Sequence, residues 1–414
     1  MARVYVLGVG MTQFGRHPET TVKALTREAT LAALADAAIP AARIDAAFFG
    51  NVCQSPLEGQ YAVGGQIALR DMGFERTPIV NCENACASAT TALSLAVSHV
   101  LAGQGEVALA VGVDKMSHPD RRRSFQVFEG AWDVTAADET VARLRALAEG
   151  VQTPPEYAGG AEQRSLFMDV YASLAKYHMK RFGTTMRQLA AIASKNHFHS
   201  TLNPLSQYRE PYSIEQVMNG RLIVWPLTVP MCAPISDGAA AAIVCSEAVL
   251  ARLGRARAVP IRACVVSGGT DRDPTELDRQ IGRIAALRAY EAAGVGPEAM
   301  SVAEVHDATA FAEVQQSENL GLCEYGQGGW IAERGETTLG GRIPINTSGG
   351  LESKGHPIGA SGLGQIHELV TQLRGEAGPR QVERARFAIA ENGGGFYRCE
   401  EAVVCTTILE APAA

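Results

Sequence analysis

Two short stretches of this chain contain residues suited to nucleophilic sulfur chemistry. The first, Asn81–Ser88, places Cys86 between an apolar, strand-like run and a segment of small residues with helical character. The second, Ser348–Gly362, is a glycine-dense turn around His356. A helix N-terminus favours the thiolate form of a cysteine, and an imidazole within hydrogen-bond reach can take its proton. The pairing of Cys86 with His356 therefore predicts acyl transfer.

The elements that must hold these residues alternate between strand-like and helix-like patterns. Apolar runs at 4–7, 45–51 and 107–112 are typical of buried strands, and apolar residues between 22 and 33 recur at helical spacing. The same alternation resumes after Arg257, with strand-like runs at 261–266, 302–306 and 387–390 and a helical pattern over Ile281 to Ala293. Strands separated by helices predict an α/β sheet covered on both faces.

The middle of the chain has a different character. Between 117 and 227 charged and aromatic residues increase, and no comparable strand pattern occurs before 238–245. We interpret this stretch as a largely helical insertion. The predicted domains are an N-terminal domain over 1–116 plus 228–256, an inserted loop domain over 117–227, and a C-terminal domain over 257–414.

The two halves of the chain also resemble each other. Pro78–Asn81 leads to Cys86 and a helix, and Pro344–Thr347 leads to His356 and a helix. A repeat of this length favours duplicated domains over a solenoid. If the two halves pack about a pseudo-twofold axis, two helix N-termini meet and Cys86 lies opposite His356.

Composition narrows the class of protein. The chain has 414 residues, 46% hydrophobic and 20% charged residues, and a net charge of −7, so neither nucleic acid nor an anionic membrane is expected as a partner. It lacks a secretory signal and any apolar run near the roughly 20 residues of a membrane span, so we expect the cytoplasm. The nine cysteines show neither zinc spacing nor a disulfide framework, and no metal site is expected. Arg121–Arg123 is interpreted as a solvated loop, with a phosphate site as the alternative.

Five motifs in order resemble the thiolase family across nearly the whole chain. Asn84–Ser88 is similar to its nucleophile motif and Asn346–Ala360 to its histidine motif, with Val111–Ser117, Ser236–Ala241 and Glu304–Phe311 between them. The intervening residues look most like the sterol-carrier-protein type, and we expect no trailing sterol-carrier domain. The resemblance implies a thiolase fold, with two duplicated βαβαβαββ core domains in a five-layer αβαβα arrangement and a largely helical loop domain inserted in the first. Coenzyme A is then a substrate, and no permanently bound cofactor is expected.

The resemblance also implies roles for individual residues. Cys86 would take the acyl group from a coenzyme A thioester, with His356 as its base. His306, in a His-Asp pair typical of the sterol-carrier type, would help bind a substrate oxygen, and Asp307 would orient the loop. The backbone N–H groups of Cys86 and Gly393 match the second oxyanion hole.

The family's second cysteine, which handles the proton of the condensing or departing acyl-CoA, has no counterpart here. Glu391 stands at its usual place, and Ala308 stands where the sterol-carrier type has the thiol. Glu391 is our candidate acid/base, because a partly buried carboxyl can have a raised pKa; a role in capping a loop is equally open. Tyr397 and Cys399 are further alternatives.

These residues predict thiolytic cleavage of a 3-oxoacyl-CoA, or the reverse Claisen condensation, in a degradative pathway with an unusual acyl chain. Ala233 stands where many thiolases have a serine against pantetheine, so the residues that bind coenzyme A stay unassigned. The alternatives are a partner-dependent retro-aldolase acting on a CoA thioester side chain and a non-catalytic lipid or acyl-CoA carrier. The resemblance further implies a homodimer or dimer of dimers, and allows a small zinc-ribbon/OB-fold partner.

Overall fold

The computed structural model describes residues 3–162, 164–253 and 257–412. The domain limits predicted at residues 1, 256 and 414 lie outside the described residues. The strands of the described residues are β1 (Val4–Met11), β2 (Ala46–Gly50), β3 (Ile79–Cys82), β4 (Val107–Lys115), β5 (Leu222–Val224), β6 (Leu227–Thr228), β7 (Asp237–Ser246), β8 (Val259–Gly268), β9 (Val302–Glu304), β10 (Phe387–Gly394) and β11 (Val403–Glu410).

The helices follow the strands in the alternation that the sequence predicts. They are α1 (Val22–Asp36), α2 (Gln54–Glu58), α3 (Gly64–Leu69), α4 (Ser88–Leu101), α5 (Arg121–Glu129), α6 (Ala137–Leu147), α7 (Leu166–Phe182), α8 (Met186–Thr201), α9 (Ile214–Met218), α10 (Glu247–Leu253), α11 (Ile281–Ala293), α12 (Ala310–Asn319), α13 (Gly328–Glu333) and α14 (Ser361–Leu373). No helix in these ranges combines the length and apolar character needed to cross a membrane.

Strand order confirms the predicted duplication. The strands pair in the order β3-β2-β4-β7-β1-β8-β11-β10-β9, with β1 and β8 joining the two halves. In the first half β1–β7 and β7–β4 are antiparallel, and β4–β2 and β2–β3 are parallel. In the second half β8–β11 and β11–β10 are antiparallel and β10–β9 is parallel, and a parallel bridge between Ala303 and Ile345 stands where β3 does in the first.

The packing of the helices gives the five predicted layers. Helices α4 and α14 pack against each other in the central layer, while α1 and α11 cover the outer faces of the two halves. Along β4, Ala108 and Ala110 face the central cluster, and Leu109 and Val111 face the outer one. Both faces of the strand are buried, which is why its sequence is a continuous apolar run.

The insertion between β4 and β7 consists mainly of α5 to α9, as predicted, with one short two-stranded sheet, β5–β6, that the sequence did not indicate. Its helix α8 packs against α12, α13 and a π-helical turn at Gly350–Lys354. The insertion therefore docks on the C-terminal half, directly beside the turn that contains His356.

Candidate active site

Cys86 lies in the sharp turn between β3 and α4. Ala85 adopts φ 47°, a left-handed conformation that residues with a side chain rarely adopt. The Glu83 carboxylate accepts a hydrogen bond from the Ala85 N–H and so caps the turn. This geometry places the Cys86 thiol on the wall of a cavity, two residues before α4 begins.

The ring of His356 is fixed so that one nitrogen keeps a free lone pair. Its Nδ1 lies 2.6 Å from the hydroxyl oxygen of Ser361, which donates its own proton to the carbonyl of Pro357 at 2.8 Å. Nδ1 is therefore the donor in the first contact, and Nε2 is left as an acceptor. Burial, with His306 and Lys354 nearby, holds the pKa of His356 well below its usual value. A neutral imidazole with a free Nε2 suits a general base.

His306 has the opposite tautomer. The Asn392 amide nitrogen donates to its Nδ1 at 3.0 Å, and the orientation of that amide is set by Thr90, whose hydroxyl donates to Asn392 Oδ1 at 2.7 Å. Burial lowers the pKa of His306 to about 4. The ring is thus neutral and carries its proton on Nε2, so it is a hydrogen-bond donor. The His306 and His356 rings contact each other edge to face, with centroids 5.1 Å apart.

The structure brings these three predicted residues together. Ligand atoms of Cys86, His306 and His356 all lie within 4.8 Å of one another. All three line one cavity of about 270 Å³. A thiol and two imidazoles could also hold a thiophilic metal ion, but His306 would first have to lose the Nε2 proton. The arrangement as it stands is a nucleophile, a base and a hydrogen-bond donor.

The Cys86 thiol is not activated in the resting site. Burial, reinforced by the Asp114 and Glu83 carboxylates, raises its pKa to about 12, against the backbone N–H groups of Cys86 and Gly395, which favour the thiolate. Desolvation therefore opposes, and outweighs, the preference for the thiolate that a helix N-terminus gives. His356 must therefore take the proton as the sulfur attacks.

Glu391, the predicted acid/base, lies behind the site. It is fully buried on β10, and its Oε2 accepts a hydrogen bond from the backbone N–H of His306 at 3.1 Å. Its Oε1 has no hydrogen-bond partner among the described residues. Burial and the neighbouring Glu401 raise the pKa of Glu391 well above its usual value. Neither Glu391 nor the alternatives Tyr397 and Cys399 belong to the described residues that line the cavity.

A run of glycines, 393–395, forms the part of the wall next to Cys86. A Cβ at Gly394 would clash with the backbone oxygen of Asn84, so the close approach of this strand to the nucleophile turn requires glycine. Gly393, the predicted oxyanion residue, lines the cavity together with Gly394 and Gly395.

Several polar residues of the cavity wall were not predicted from the sequence, among them Glu401, Tyr171 and Cys232. Tyr171 comes from the insertion, far along the chain from the motifs. Cys232 comes from the segment before β7, four residues before the Ser236–Ala241 motif. Glu401 lies in the connection between β10 and β11. Its available signal was an acidic pair, Glu400-Glu401, immediately before an apolar strand.

The remaining wall is apolar and the rim is basic. Aromatic and aliphatic side chains form one side of the chamber: Phe125, Phe128, Phe167, Met168 and Ile358. Arg16, Arg121 and Arg221 are exposed and line the same cavity. Arg164 also lines it, but its guanidinium is paired with Asp169. The cavity therefore combines an apolar interior with a cationic edge.

Two family models match the chain. The one described as "Thiolase, N-terminal domain" covers residues 4–211, and "Thiolase C-terminal domain-like" covers residues 270–407. Sterol carrier protein 2 of Homo sapiens is 37% identical over 95% of this chain and 70% of its own length. The acetyl-CoA acetyltransferase of Methanothermobacter thermautotrophicus is 36% identical over 95% and 97% of the two chains. The benzoylsuccinyl-CoA thiolase subunit BbsB of Thauera aromatica is 35% identical over 96% of both.

Solved structures share the fold at lower identity. The structure titled "Ltp2-ChsH2(DUF35) aldolase" has a TM-score of 0.78 and 22% identity, and covers 99% of this chain and 98% of that one. Human mitochondrial 3-ketoacyl-CoA thiolase in complex with CoA has a TM-score of 0.66 and 19% identity over the full length of both chains.

Proposed function

The chain belongs to the thiolase family, and from this premise we propose that it cleaves a 3-oxoacyl-CoA with coenzyme A, or runs the reverse Claisen condensation, through an acyl group on Cys86. Thiolase domains make it an enzyme of the acyltransferase class. The observation that carries the proposal is the convergence of Cys86, His356 and His306 within 4.8 Å on the wall of one cavity.

The two histidines have different roles because they carry their protons on different ring nitrogens. His356 Nε2, with its free lone pair, takes the Cys86 proton as the sulfur attacks the 3-oxo carbon. His306 Nε2–H donates to a substrate oxygen that gains negative charge, and the backbone amides of Cys86 and Gly393 are our candidates for the second oxyanion hole. Neither histidine has to change its tautomer before substrate binds.

The cavity walls favour one class of substrate. The exposed arginines at the rim suit the phosphates of coenzyme A, which we propose as a substrate and not as a bound cofactor. The phenylalanines around the chamber suit a bulky or aromatic acyl chain, in line with the name of the Thauera aromatica relative, a benzoylsuccinyl-CoA thiolase subunit. We therefore propose a degradative reaction. We also propose that it takes place in the cytoplasm.

We also propose an oligomeric state and a partner protein. Strand β3 ends the sheet of the described residues, and Val80 on it is 45% exposed, which supports pairing of first domains in a homodimer or dimer of dimers. A small zinc-ribbon/OB-fold partner is supported by the DUF35 protein in the aldolase structure and by the subunit name of the Thauera relative. We also keep the domain limits near residues 116 and 227 as a proposal.

A partner-dependent retro-aldolase is the second candidate. The observation that favours it is the absence of a thiol at both expected positions, since Ala308 and Glu391 stand there. A non-catalytic carrier is less well supported, because a carrier does not require a thiol, a base and a donor at one point.

Acylation of Cys86 tests the proposal. We expect benzoyl-CoA or acetyl-CoA to leave an acyl group on the peptide that contains Cys86, measured by intact-protein and peptide mass spectrometry. Replacing Cys86 with Ala removes the adduct, and His356→Ala slows its formation by about 10²- to 10⁴-fold because the base is lost. A free Cys86 thiol after incubation of the native protein with both thioesters would reject the acyl-enzyme and leave the aldolase or carrier.

A further inference from the structure

We propose that Glu401 is the acid and base that serves the α-carbon of the departing or condensing acyl-CoA, the role for which the chain has no second cysteine in its motifs. This inference rests on the proposed thiolase function. It assigns the proton transfer to a residue outside every motif that the sequence analysis identified.

The fold places Glu401 on the wall of the cavity that holds the reacting groups. It lines the same cavity as Cys86, His306 and His356, and is 9% exposed, whereas Glu391 is fully buried behind His306. Its side chain lies across Gly393, where a Cβ would come within 2.8 Å of Glu401 Cγ. The carboxyl therefore lies beside the glycine wall of the cavity that Cys86 also lines.

A chain of side chains orients this carboxyl. The Gln316 amide nitrogen donates to Glu401 Oε1 at 2.7 Å, and Asn319 donates to Gln316 Oε1 at 2.9 Å, which fixes the direction of the glutamine amide. Gln316 and Asn319 lie on α12 and are completely buried. A carboxyl held by a buried amide keeps one oxygen in place without an ion pair.

The preceding residue anchors the connection between β10 and β11. Glu400 accepts a hydrogen bond from Arg272 at 2.6 Å and another from the Ile281 N–H at 3.1 Å. Because Glu400 is fixed to the C-terminal half in this way, the next side chain, Glu401, is directed into the cavity. The two adjacent glutamates thus have separate roles, Glu400 as an anchor and Glu401 as the reactive group.

Glu401 lies in a cluster of carboxyls that contains one arginine. Three carboxyls, Glu391, Glu400 and Glu401, lie close together, and the ion pairs of the described residues join Arg272 to Glu400 alone. Burial, with the Glu400 charge, raises the pKa of Glu401, against a backbone hydrogen bond, the nearby Arg272 charge and the hydrogen bond from Gln316. A carboxyl whose pKa is raised in this way is better suited to acid and base chemistry than an ordinary exposed carboxyl.

Cys232 is the competing group on the cavity wall. It lies beside the expected thiol position, because it forms a backbone bridge to Thr309, next to Ala308. Burial, together with the Glu352 charge, raises the pKa of the Cys232 thiol far above neutrality. The ordinary pKa is about 8.5 for a thiol and about 4.3 for a glutamate carboxyl. Burial therefore moves the pKa of a carboxyl toward neutrality and that of a thiol further above it.

Glu401 transfers a proton in both halves of the proposed reaction. When Cys86 has attacked the 3-oxo carbon, the C2–C3 bond breaks and its electron pair goes to C2, which takes the proton of the Glu401 carboxyl. The Glu401 carboxylate then accepts the proton of the incoming coenzyme A thiol, whose sulfur attacks the acyl-cysteine. Cys86 leaves as a thiolate and recovers its proton from His356.

Deuterium exchange tests this assignment separately from acylation. Acetyl-CoA and succinyl-CoA are incubated with the enzyme in D₂O, and incorporation at the α-carbon is followed by mass spectrometry together with acylation of Cys86. We expect Glu401→Gln to lower exchange by about 10²-fold or more. Acylation falls much less, because the coenzyme A thiolate can leave without an acid, whereas α-exchange requires a base to remove the α-proton. Glu401→Asp, which keeps the carboxyl, is expected to retain measurable exchange.

The controls distinguish this inference from the proposed function. Exposed Glu298 provides the matched variant, and Glu298→Gln should exchange like the native enzyme. Unfolding midpoints show whether the Glu401 variants are folded. Retained exchange in Glu401→Gln, loss confined to Cys232→Ala or Glu391→Gln, or no exchange in a native enzyme that does acylate would overturn the assignment. Absence of the Cys86 adduct itself would instead reject the proposed function.

Discussion

At the scale of single residues, the site is neutral before substrate binds. The Cys86 thiol keeps its proton because its pKa is raised to about 12, and burial lowers the pKa of His306 to about 4. Neither an imidazolium nor a thiolate has to be maintained in a buried place, where an isolated charge is costly. Charge develops only when a substrate carbonyl is present to receive the electrons.

Alkylation of Cys86 by iodoacetamide reports this resting state. Below a thiol pKa of about 12 the thiolate fraction rises about tenfold with each pH unit, so the alkylation rate should climb steadily from pH 6 to pH 10. The rate is measured by peptide mass spectrometry at each pH. A plateau that begins near pH 6 would contradict the neutral pair and indicate a preformed thiolate–imidazolium.

Residue-level chemistry was only partly readable from the sequence. Cys86, His306 and His356 stand inside local motifs, and a motif can be recognised without knowing the fold. Glu401 lies ten residues beyond Glu391 and comes near the site only because β11 folds back along β10, with Gly393 opposite Val404. Such a placement depends on register, which no short motif encodes.

At the scale of elements, contacts of strand glycines hold the two catalytic turns in place. Gly112 on β4 lies under the His356 loop, where a Cβ would clash with the backbone oxygen of Gly359. The Asp114 carboxylate on the same strand accepts hydrogen bonds from the N–H of Gly359 at 2.6 Å and from that of Cys53 at 2.7 Å. One strand of the first half thus positions the base that belongs to the second.

A pair of glycine-to-alanine variants tests this contact. Gly112→Ala should cost at least about 2 kcal/mol of unfolding free energy, because overpacking displaces the backbone, and should also slow acylation of Cys86. Gly268→Ala on β8 is the matched control, since a Cβ there meets nothing within 4 Å. Its stability should change by no more than about 0.5 kcal/mol, as measured by denaturant titration. Equal effects of the two variants would show that the contact under the His356 loop is unimportant.

Elements were more predictable where they are long and apolar. The helix predicted over Ile281 to Ala293 is observed with those bounds. The β5–β6 sheet was missed, because its strands contain only three and two residues and carry no periodic signal. Strand β9 is two residues shorter than the run predicted up to His306, which leaves His306 in the loop after the strand.

At the scale of the whole molecule, a buried polar network holds the insertion against the C-terminal half. Lys195 on α8 pairs with Glu313 on α12 and also donates to the Ile345 carbonyl at 2.8 Å. Next to it, the Asn196 amide donates to Asp307 at 3.0 Å, in the loop that contains His306. The wall contributed by the insertion is therefore fixed to the same residues that hold the catalytic histidines.

Breaking this polar network should lower the free energy of unfolding of the whole protein. Lys195→Ala leaves the Glu313 carboxylate buried without its cation, and we expect a loss of about 3–5 kcal/mol in unfolding free energy. Arg143→Ala, which breaks the exposed pair with Glu139, is the control and should cost less than about 1 kcal/mol. Thermal unfolding followed by circular dichroism measures both. A Lys195 variant as stable as the Arg143 variant would mean that the insertion is held by other contacts.

The position of the late strands has a consequence for biosynthesis. In each half the strand made last lies inside the sheet: β7 separates β1 from β4, and β11 separates β8 from β10. Neither half can complete its pairing until that strand has left the ribosome. The Cys86 turn is made long before His356 and β11, so the nascent chain carries the nucleophile without its base. The nascent chain can therefore catalyse acyl transfer only after residues beyond Val403 have been added.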